Sequence, residues 1–140
     1  MKQGPQAFFR ILDANYNRAK EALRVSEDVV RFIMDDRALT ARYKSCRHEL
    51  TQSLLKMPVS YKKLLLSRDS AGDVGKAGWI QDKKGRIDWQ DILCSNLKRA
   101  QESLRVLEET SKVIAPRQSP AFQKLRFSLY ELEKRTIQKL

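Results

Sequence analysis

A chain of 140 residues, 41% hydrophobic and 32% charged, is long enough to bury one core without disulfide or metal staples. No run of about 18 apolar residues occurs, which excludes a membrane-spanning helix, and the opening Met-Lys-Gln-Gly-Pro lacks the apolar stretch of a signal peptide. Lys and Arg outnumber Asp and Glu by 28 to 17, a net charge of +11 spread along the whole chain, so an anionic partner is expected and a basic tail is excluded.

Three anionic partners fit that charge: nucleic acid, an anionic membrane surface, or a small polyphosphorylated substrate. Cys46 and Cys94 have no metal-ligand spacing and no disulfide-rich company, which suits a reducing cytoplasm.

Pro5 suits the first turn of a helix, where its missing N–H costs nothing. From there Phe8, Leu12, Asn15, Ala19, Ala22, Ser26, Val29 and Ile33 alternate spacings of four and three, one stripe on a helix of nearly 30 residues. Phe9, Tyr16, Leu23 and Val30 form a second row, and so wide an apolar face belongs to a bundle. Asn15 and Ser26 interrupt the stripe with polar groups. Between them Ala19 and Ala22 let a partner helix approach or leave room for a ligand. Asp35-Asp36 ends the helix, with Asp36 as the cap of the next.

The second helix, about 37–56, buries Leu39, Tyr43, Cys46, Leu50 and Leu54, and Met57-Pro58 breaks it. A short helix over about 59–66 carries Tyr61, Leu64, Leu65 and Leu66. Ser67 to Ile87 then changes character: it holds four of the five glycines and has no helical period. It is too long for a simple connection, which marks it as functional or mobile. Within it Lys83-Lys84-Gly85 reads as a turn joining extended pieces at Trp79-Ile80 and Arg86-Ile87. Asp88 caps a third long helix, with Asp91 three residues on as a weak capping box. Trp89, Leu93, Asn96, Ala100, Ser103, Leu107, Thr110 and Ile114 form its stripe, and Pro116 stops it. Ser119-Pro120 reads as an N-cap and first-turn proline for the last helix, through Phe122, Leu125, Leu129, Leu132 and Ile137.

Asn15 to Glu27 (N-Y-N-R-A-K-E-A-L-R-V-S-E) returns 81 residues later as Asn96 to Glu108 (N-L-K-R-A-Q-E-S-L-R-V-L-E), identical at eight of 13 positions. Chance supplies about one match. More faintly, Arg47-His48-Glu49-Leu50 answers Arg126-Phe127-Ser128-Leu129. The expected architecture is therefore all-α: a single helical domain over residues 1–140, with repeat halves of about 5–57 and 88–140 and a linker of about 58–87. Each half would be a helical hairpin, the two related by a pseudo-twofold. Wide apolar faces on two hairpins would also suit a homodimer.

Some of the polar letters in the repeat suit chemistry. Arg18 borders the apolar stripe on one side and Glu27 on the other, while Glu21 and Arg24 point away. An Asn in an apolar stripe needs a hydrogen-bond partner, and an Arg at its border suits a phosphate through bidentate bonds. Asn15 equally fits a register-setting buried Asn. Glu21 with Arg24, and Glu27 with Arg31, equally fit a ladder of solvated ion pairs.

The linker is the sharper signal. Arg68, Asp69 and Asp73 fall within six residues, and Gly72 and Gly75 let the backbone approach a ligand. Phosphoryl transfer asks for carboxylates to hold Mg²⁺ or orient an attacking hydroxyl, and for positive charge on the phosphoryl oxygens. An ordinary Gly/Asp turn is the plain alternative. His48, the only histidine, could act as a base, although a lone helical His is more often packed or on the surface. Cys46 reads as core, and Cys94 has no base in sequence reach. No glycine-rich phosphate loop and no metal-binding His pair occurs.

Together these residues resemble a known family. Arg10-Ile11-Leu12-Asp13-Ala14-Asn15, Asn17-Arg18-Ala19, Glu21-Ala22-Leu23-Arg24-Val25, Glu27-Asp28 and Arg31-Phe32 look like its N-terminal signature. Asp35-Asp36, Arg47-His48 and the R-D-x-x-G-D-V-G loop from Arg68 to Gly75 follow in order, so the likeness covers nearly the whole chain. It is the family of small hydroxymethylpyrimidine-phosphate kinases of thiamine biosynthesis, found alone or fused to the N-terminus of thiamine-phosphate synthase. No synthase domain follows Leu140, as in a stand-alone form or an excised domain.

The resemblance implies ATP-dependent phosphorylation of 4-amino-5-hydroxymethyl-2-methylpyrimidine phosphate to the diphosphate, with the free alcohol a poor substrate. On this reading Arg18, Arg24, Arg47 and Arg68 surround substrate and nucleotide phosphates, and Asn15 contacts the pyrimidine or its phosphate. Asp69 and Asp73 hold Mg²⁺ or orient the hydroxyl. Asn96, Arg99 and Arg105 supply the matching half of one site, or only preserve packing. A basic helical nucleic-acid-binding module and a helical assembly protein are the alternatives. The missing exposed aromatic cluster and recognition motif count against nucleic acid.

Overall fold

The structure is a computed structural model that describes residue 1, residues 4–76 and residues 85–140. Its elements are α1 (Pro5–Phe32), α2 (Arg37–Leu55), α3 (Tyr61–Leu66), α4 (Trp89–Ile114), a 3₁₀ turn (Pro116–Gln118) and α5 (Ser119–Ile137). The fold is all-α, with no strand among the described residues. The turn and extended piece expected at Trp79-Ile80 and Lys83-Lys84 lie outside the described residues. Arg86-Ile87 is irregular chain leading into the Asp88 cap.

Local chemistry sets most boundaries. Pro5 occupies the first turn of α1. After α1 the chain turns at Asp35, whose φ of 50° is a left-handed conformation that Asp tolerates better than most residues. Asp36 then caps α2 by accepting the Leu39 N–H at 2.8 Å. Asp88 caps α4 by accepting the Asp91 N–H at 2.9 Å, and Asp91 reaches back to accept the Ile87 N–H at 3.1 Å. Ser119 departs from expectation. It lies inside α5, after a 3₁₀ turn and Gln118. Its hydroxyl donates to the Glu108 carbonyl at 3.0 Å, tying α5 to α4 instead of capping its own helix.

α1 and α4 pack along each other most extensively, α2 folds back on α1, and α5 folds back on α4. One apolar core runs through these helices. Leu12, Leu23, Leu93, Leu97, Leu104, Leu107 and Leu129 are fully buried in it, and cutting any of them to Ala would cost about 2–5 kcal/mol. Ala19, Ala22 and Ala100 are buried in this core, so the small residues serve packing here. The polar stripe residues satisfy themselves. Asn15 donates to the Ile11 carbonyl at 2.9 Å, Ser26 to Ala22 at 2.9 Å, and Asn96 to Ile92 at 2.8 Å. Ile33 and Ile137, expected in the stripes, are exposed because each lies at a helix end turned away from the core. Across the bundle, Tyr43 of α2 and Thr136 of α5 share a buried hydrogen bond of 2.8 Å.

The linker does not hang free. Leu64 of α3 is buried in the common core, and Tyr61 meets Tyr16 of α1 edge to face at 6.4 Å between centroids. That contact delivers the following residues, from Ser67 on, to the N-terminal half of α1.

Candidate active site

The centre of this arrangement is a buried carboxylate. Asp13, 4% exposed, lies within the Phe9–Tyr16 row of α1 and needs a partner to be tolerated there. Arg68 supplies it from 55 residues away. Its Nε and Nη2 donate to the two Asp13 oxygens at 2.5 and 3.1 Å, a bidentate fork, and Asn17 adds a donor at 3.2 Å. The Asp13 hydrogen bond holds the Arg68 guanidinium charged, above its ordinary range.

Arg68 thereby anchors the loop. Arg10 reaches the Asp69 carbonyl at 3.5 Å. Asp69 Oδ1 accepts the Gly72 N–H and Asp73 Oδ1 accepts the Gly75 N–H, both at 2.9 Å. These turns hold both carboxylates in defined rotamers. A Cβ on Gly72 would stand 2.5 Å from Asp69 Oδ2, so any side chain there would push the Asp69 carboxylate out of its place. At Gly75 the same atom would meet Asp73 at 3.3 Å, which is tight but less severe.

The result is a cleft of about 390 Å³ between α1 and the loop, bordered by Arg10, Asp13, Asn15, Arg18, Arg68, Asp69 and Asp73. Asn15 and Arg18 also border a second cleft, of about 450 Å³, whose other wall is α4 and the chain before it: Arg86, Ser95, Lys98, Arg99, Glu102 and Ser103. The expected residues Asn15, Arg18, Arg68, Asp69 and Asp73 are thus gathered in one place, and Arg99 comes to its flank.

The others lie elsewhere. Arg47 is buried, and its Nε donates to Glu27 at 2.9 Å. Arg24 pairs with the same Glu27 at 3.6 Å, a correction to the expected Glu21–Arg24 and Glu27–Arg31 ladder. Arg105 pairs with Glu108 at 3.4 Å and Glu109 at 3.0 Å. Asn96, like Arg24, Arg47 and Arg105, borders neither cleft. His48 is exposed in a separate groove between α2 and α5. Burial pushes the Cys46 thiol up to about 11, as expected of a core residue.

Sequence reasoning missed Asp13, Arg10, Arg86 and Lys98. Asp13 had a usable signal. It stands four residues after Phe9 and three before Tyr16, inside the apolar row, where a charge demands an explanation. No group of three His, Cys, Asp or Glu side chains arranged for a metal occurs among the described residues. Asp69 and Asp73 border the same cleft, and two carboxylates are a donor set of the kind Mg²⁺ takes, with water and substrate phosphates filling the rest of its shell.

Fold and site define an all-α module with paired polar clefts built on one edge of a long helix. The ThiD2 family profile matches residues 10–135, and the chain belongs to that family. It is 38% identical over 129 residues to a thiamine-phosphate synthase of Synechocystis sp., covering 92% of this chain and 36% of the relative. The thiamine-phosphate synthase of Rhodopirellula baltica is 36% identical over 121 residues, 86% of this chain and 32% of its own. That of Nostoc punctiforme is 35% identical over 132 residues, 94% and 36% respectively. The chain therefore spans about a third of the length of these relatives. No solved structure matches it. Among the described residues no helix is long and apolar enough to cross a membrane.

Proposed function

We propose that this chain is an ATP-dependent kinase of thiamine biosynthesis that converts 4-amino-5-hydroxymethyl-2-methylpyrimidine phosphate to its diphosphate. The observation that carries this reading is the meeting of Arg10, Arg18 and Arg68 with Asp69 and Asp73 in one cleft, beside a second cleft rich in arginine. Membership of the ThiD2 family and relatives named thiamine-phosphate synthase support the pathway.

The chemistry sharpens the roles of the carboxylates. The acceptor is a phosphate monoester whose second pKa is about 6, so near neutrality most of it already carries the attacking anionic oxygen. That oxygen forms a bond to the γ-phosphorus as the bond from γ-phosphorus to the β-bridging oxygen breaks, and ADP leaves with the electron pair. No hydroxyl proton has to be removed. Asp69 and Asp73 therefore suit Mg²⁺ ligation better than the hydroxyl-orienting role considered from sequence. When bound there, Mg²⁺ would neutralise charge on the nucleotide's phosphates.

The protein's own task is to bring two anions together in line. Arg18 and Arg10 offer guanidinium forks to the phosphates, and Arg68 holds the loop in register through Asp13. The test is ATP consumption measured with the pyrimidine monophosphate and, separately, with the free pyrimidine alcohol. Turnover is expected with the first and little with the second. Absence of turnover with both would remove the kinase reading.

A further inference from the structure

We infer that the cleft between Arg18 and α4 is a polyphosphate subsite that holds the nucleotide's triphosphate, with Arg18 at the junction where the phosphoryl group passes to the acceptor. The ligand's identity rests on the kinase reading; its chemical class does not.

The first observation is unbalanced charge. Arg18, Arg86, Lys98 and Arg99 border this cleft against the single carboxylate of Glu102. Lys98 is partly compensated by Glu133 at 3.7 Å. Arg18, Arg86 and Arg99 are exposed, and among the described residues none of them has a carboxylate partner. Elsewhere Arg24, Arg47, Arg68, Arg105, Arg126 and Arg135 pair with Asp or Glu, Arg31 and Arg37 border a groove that also holds Asp35 and Asp36, and Arg42 and Arg117 each border a groove with no second arginine. Three uncompensated guanidinium groups around one opening repel each other unless an anion lies between them.

The second observation is the contrast with the neighbouring cleft. There Arg10, Arg18 and Arg68 face Asp13, Asp69 and Asp73, so the lining charges balance. A triphosphate carries roughly twice the charge of a monophosphate, and the cationic cleft suits it. The balanced cleft suits the pyrimidine monophosphate with a cation. Arg18 borders both, so the terminal phosphate of a chain lying in the cationic cleft reaches the residue that also faces the balanced one.

The test begins without catalysis. With a chelator present, so that no divalent cation links Asp73 to the ligand, inorganic tripolyphosphate is titrated calorimetrically into the wild type, Arg99→Ala, Arg86→Ala and Asp73→Asn. Arg99→Ala and Arg86→Ala should each weaken binding about tenfold, the loss of one charge-assisted contact, whereas Asp73→Asn should stay within about twofold of wild type. Both arginines are exposed, and thermal melting in the absence of ligand should show no loss of stability, since each variant relieves like-charge repulsion. In turnover, Arg99→Ala should raise KM for ATP and leave KM for the pyrimidine monophosphate nearly unchanged. Unaltered tripolyphosphate affinity in both arginine variants overturns the subsite. So does a KM effect confined to the pyrimidine monophosphate, which would place the acceptor in this cleft. If the wild type turns over neither pyrimidine, the kinase reading fails alone, because the tripolyphosphate titration still decides the subsite.

Discussion

The two long helices carry nearly the same 13-residue pattern, yet their ends have separate fates. Toward the C-terminal end of the pattern the two copies do the same thing. Glu27 of α1 takes Arg47 from α2 at 2.9 Å, and Glu108 of α4 takes Arg126 from α5 at 2.8 Å. Arg24 and Arg105 serve as outer partners in each case. Two residues before the pattern begins the copies part. Asp13 holds Arg68 and through it the loop, while the residue 81 positions later is Cys94, half-buried and free. Identity within the repeat therefore reports mostly how each helix pair closes, and divergence just before it falls where the candidate site lies. Arg18 and Arg99 are the exception, being identical and bordering a common cleft.

The largest expected effect tests the shared end. Arg47→Ala leaves Glu27, 2% exposed, as a buried charge with only the exposed Arg24 nearby, and Arg126→Ala does the same to Glu108 at 1%. Each should lower the unfolding free energy by about 3–5 kcal/mol, read from urea denaturation. A large loss at one and almost none at the other would break the equivalence. Replacing both members of a pair, Glu27→Leu with Arg47→Met, should recover most of the loss.

A smaller effect tests the divergent end. Arg68→Ala strands Asp13 in a buried place and should cost about 1–3 kcal/mol. Asp13→Cys, which installs the residue of the second copy, should cost less than about 1 kcal/mol, because the half-exposed Arg68 can then turn to water. Both variants should lose most activity, since both release the loop that positions Asp69 and Asp73. Full activity in Asp13→Cys would detach the loop anchor from function.

The smallest effect concerns the entry to each returning helix. Asp36 caps α2, while α5 begins after a 3₁₀ turn with no side-chain cap. Asp36 accepts the Leu39 N–H and, beyond that, the Lys139 ammonium, and these hold its carboxyl below the ordinary value of 3.8. Its contribution is fully present above 3.8, the unfolded value, and is lost as pH falls through the lowered folded value. Asp36→Ala should therefore melt earlier than wild type by a similar margin at neutral and mildly acidic pH, with the margin closing below 3.8. Gln118→Ala, the corresponding change at α5, should leave melting unaltered.

The candidate site was legible in pieces. Arg68, Asp69, Asp73, Gly72 and Gly75 stood out because glycines and aspartates cluster in a break of helical period. Asn15 and Arg18 stood out because polarity interrupts a stripe. Arg47 misled, since an arginine in sequence carries no mark of being buried against a carboxylate 20 residues earlier. Arg86 and Lys98 could not be singled out among 28 basic residues until α4 was laid against α1.

Local sequence by itself determined the helices, their apolar faces and most of their caps, because those depend on contacts within a few residues. It also determined the duplication. Only the tertiary structure decided that Asp13 and Arg68 meet across 55 residues, that Arg47 ties α2 to Glu27 of α1, and that Arg18 and Arg99 share a cleft. Pairing of distant charges depends on where the packed core brings helix edges together, and no spacing along the chain carries that information.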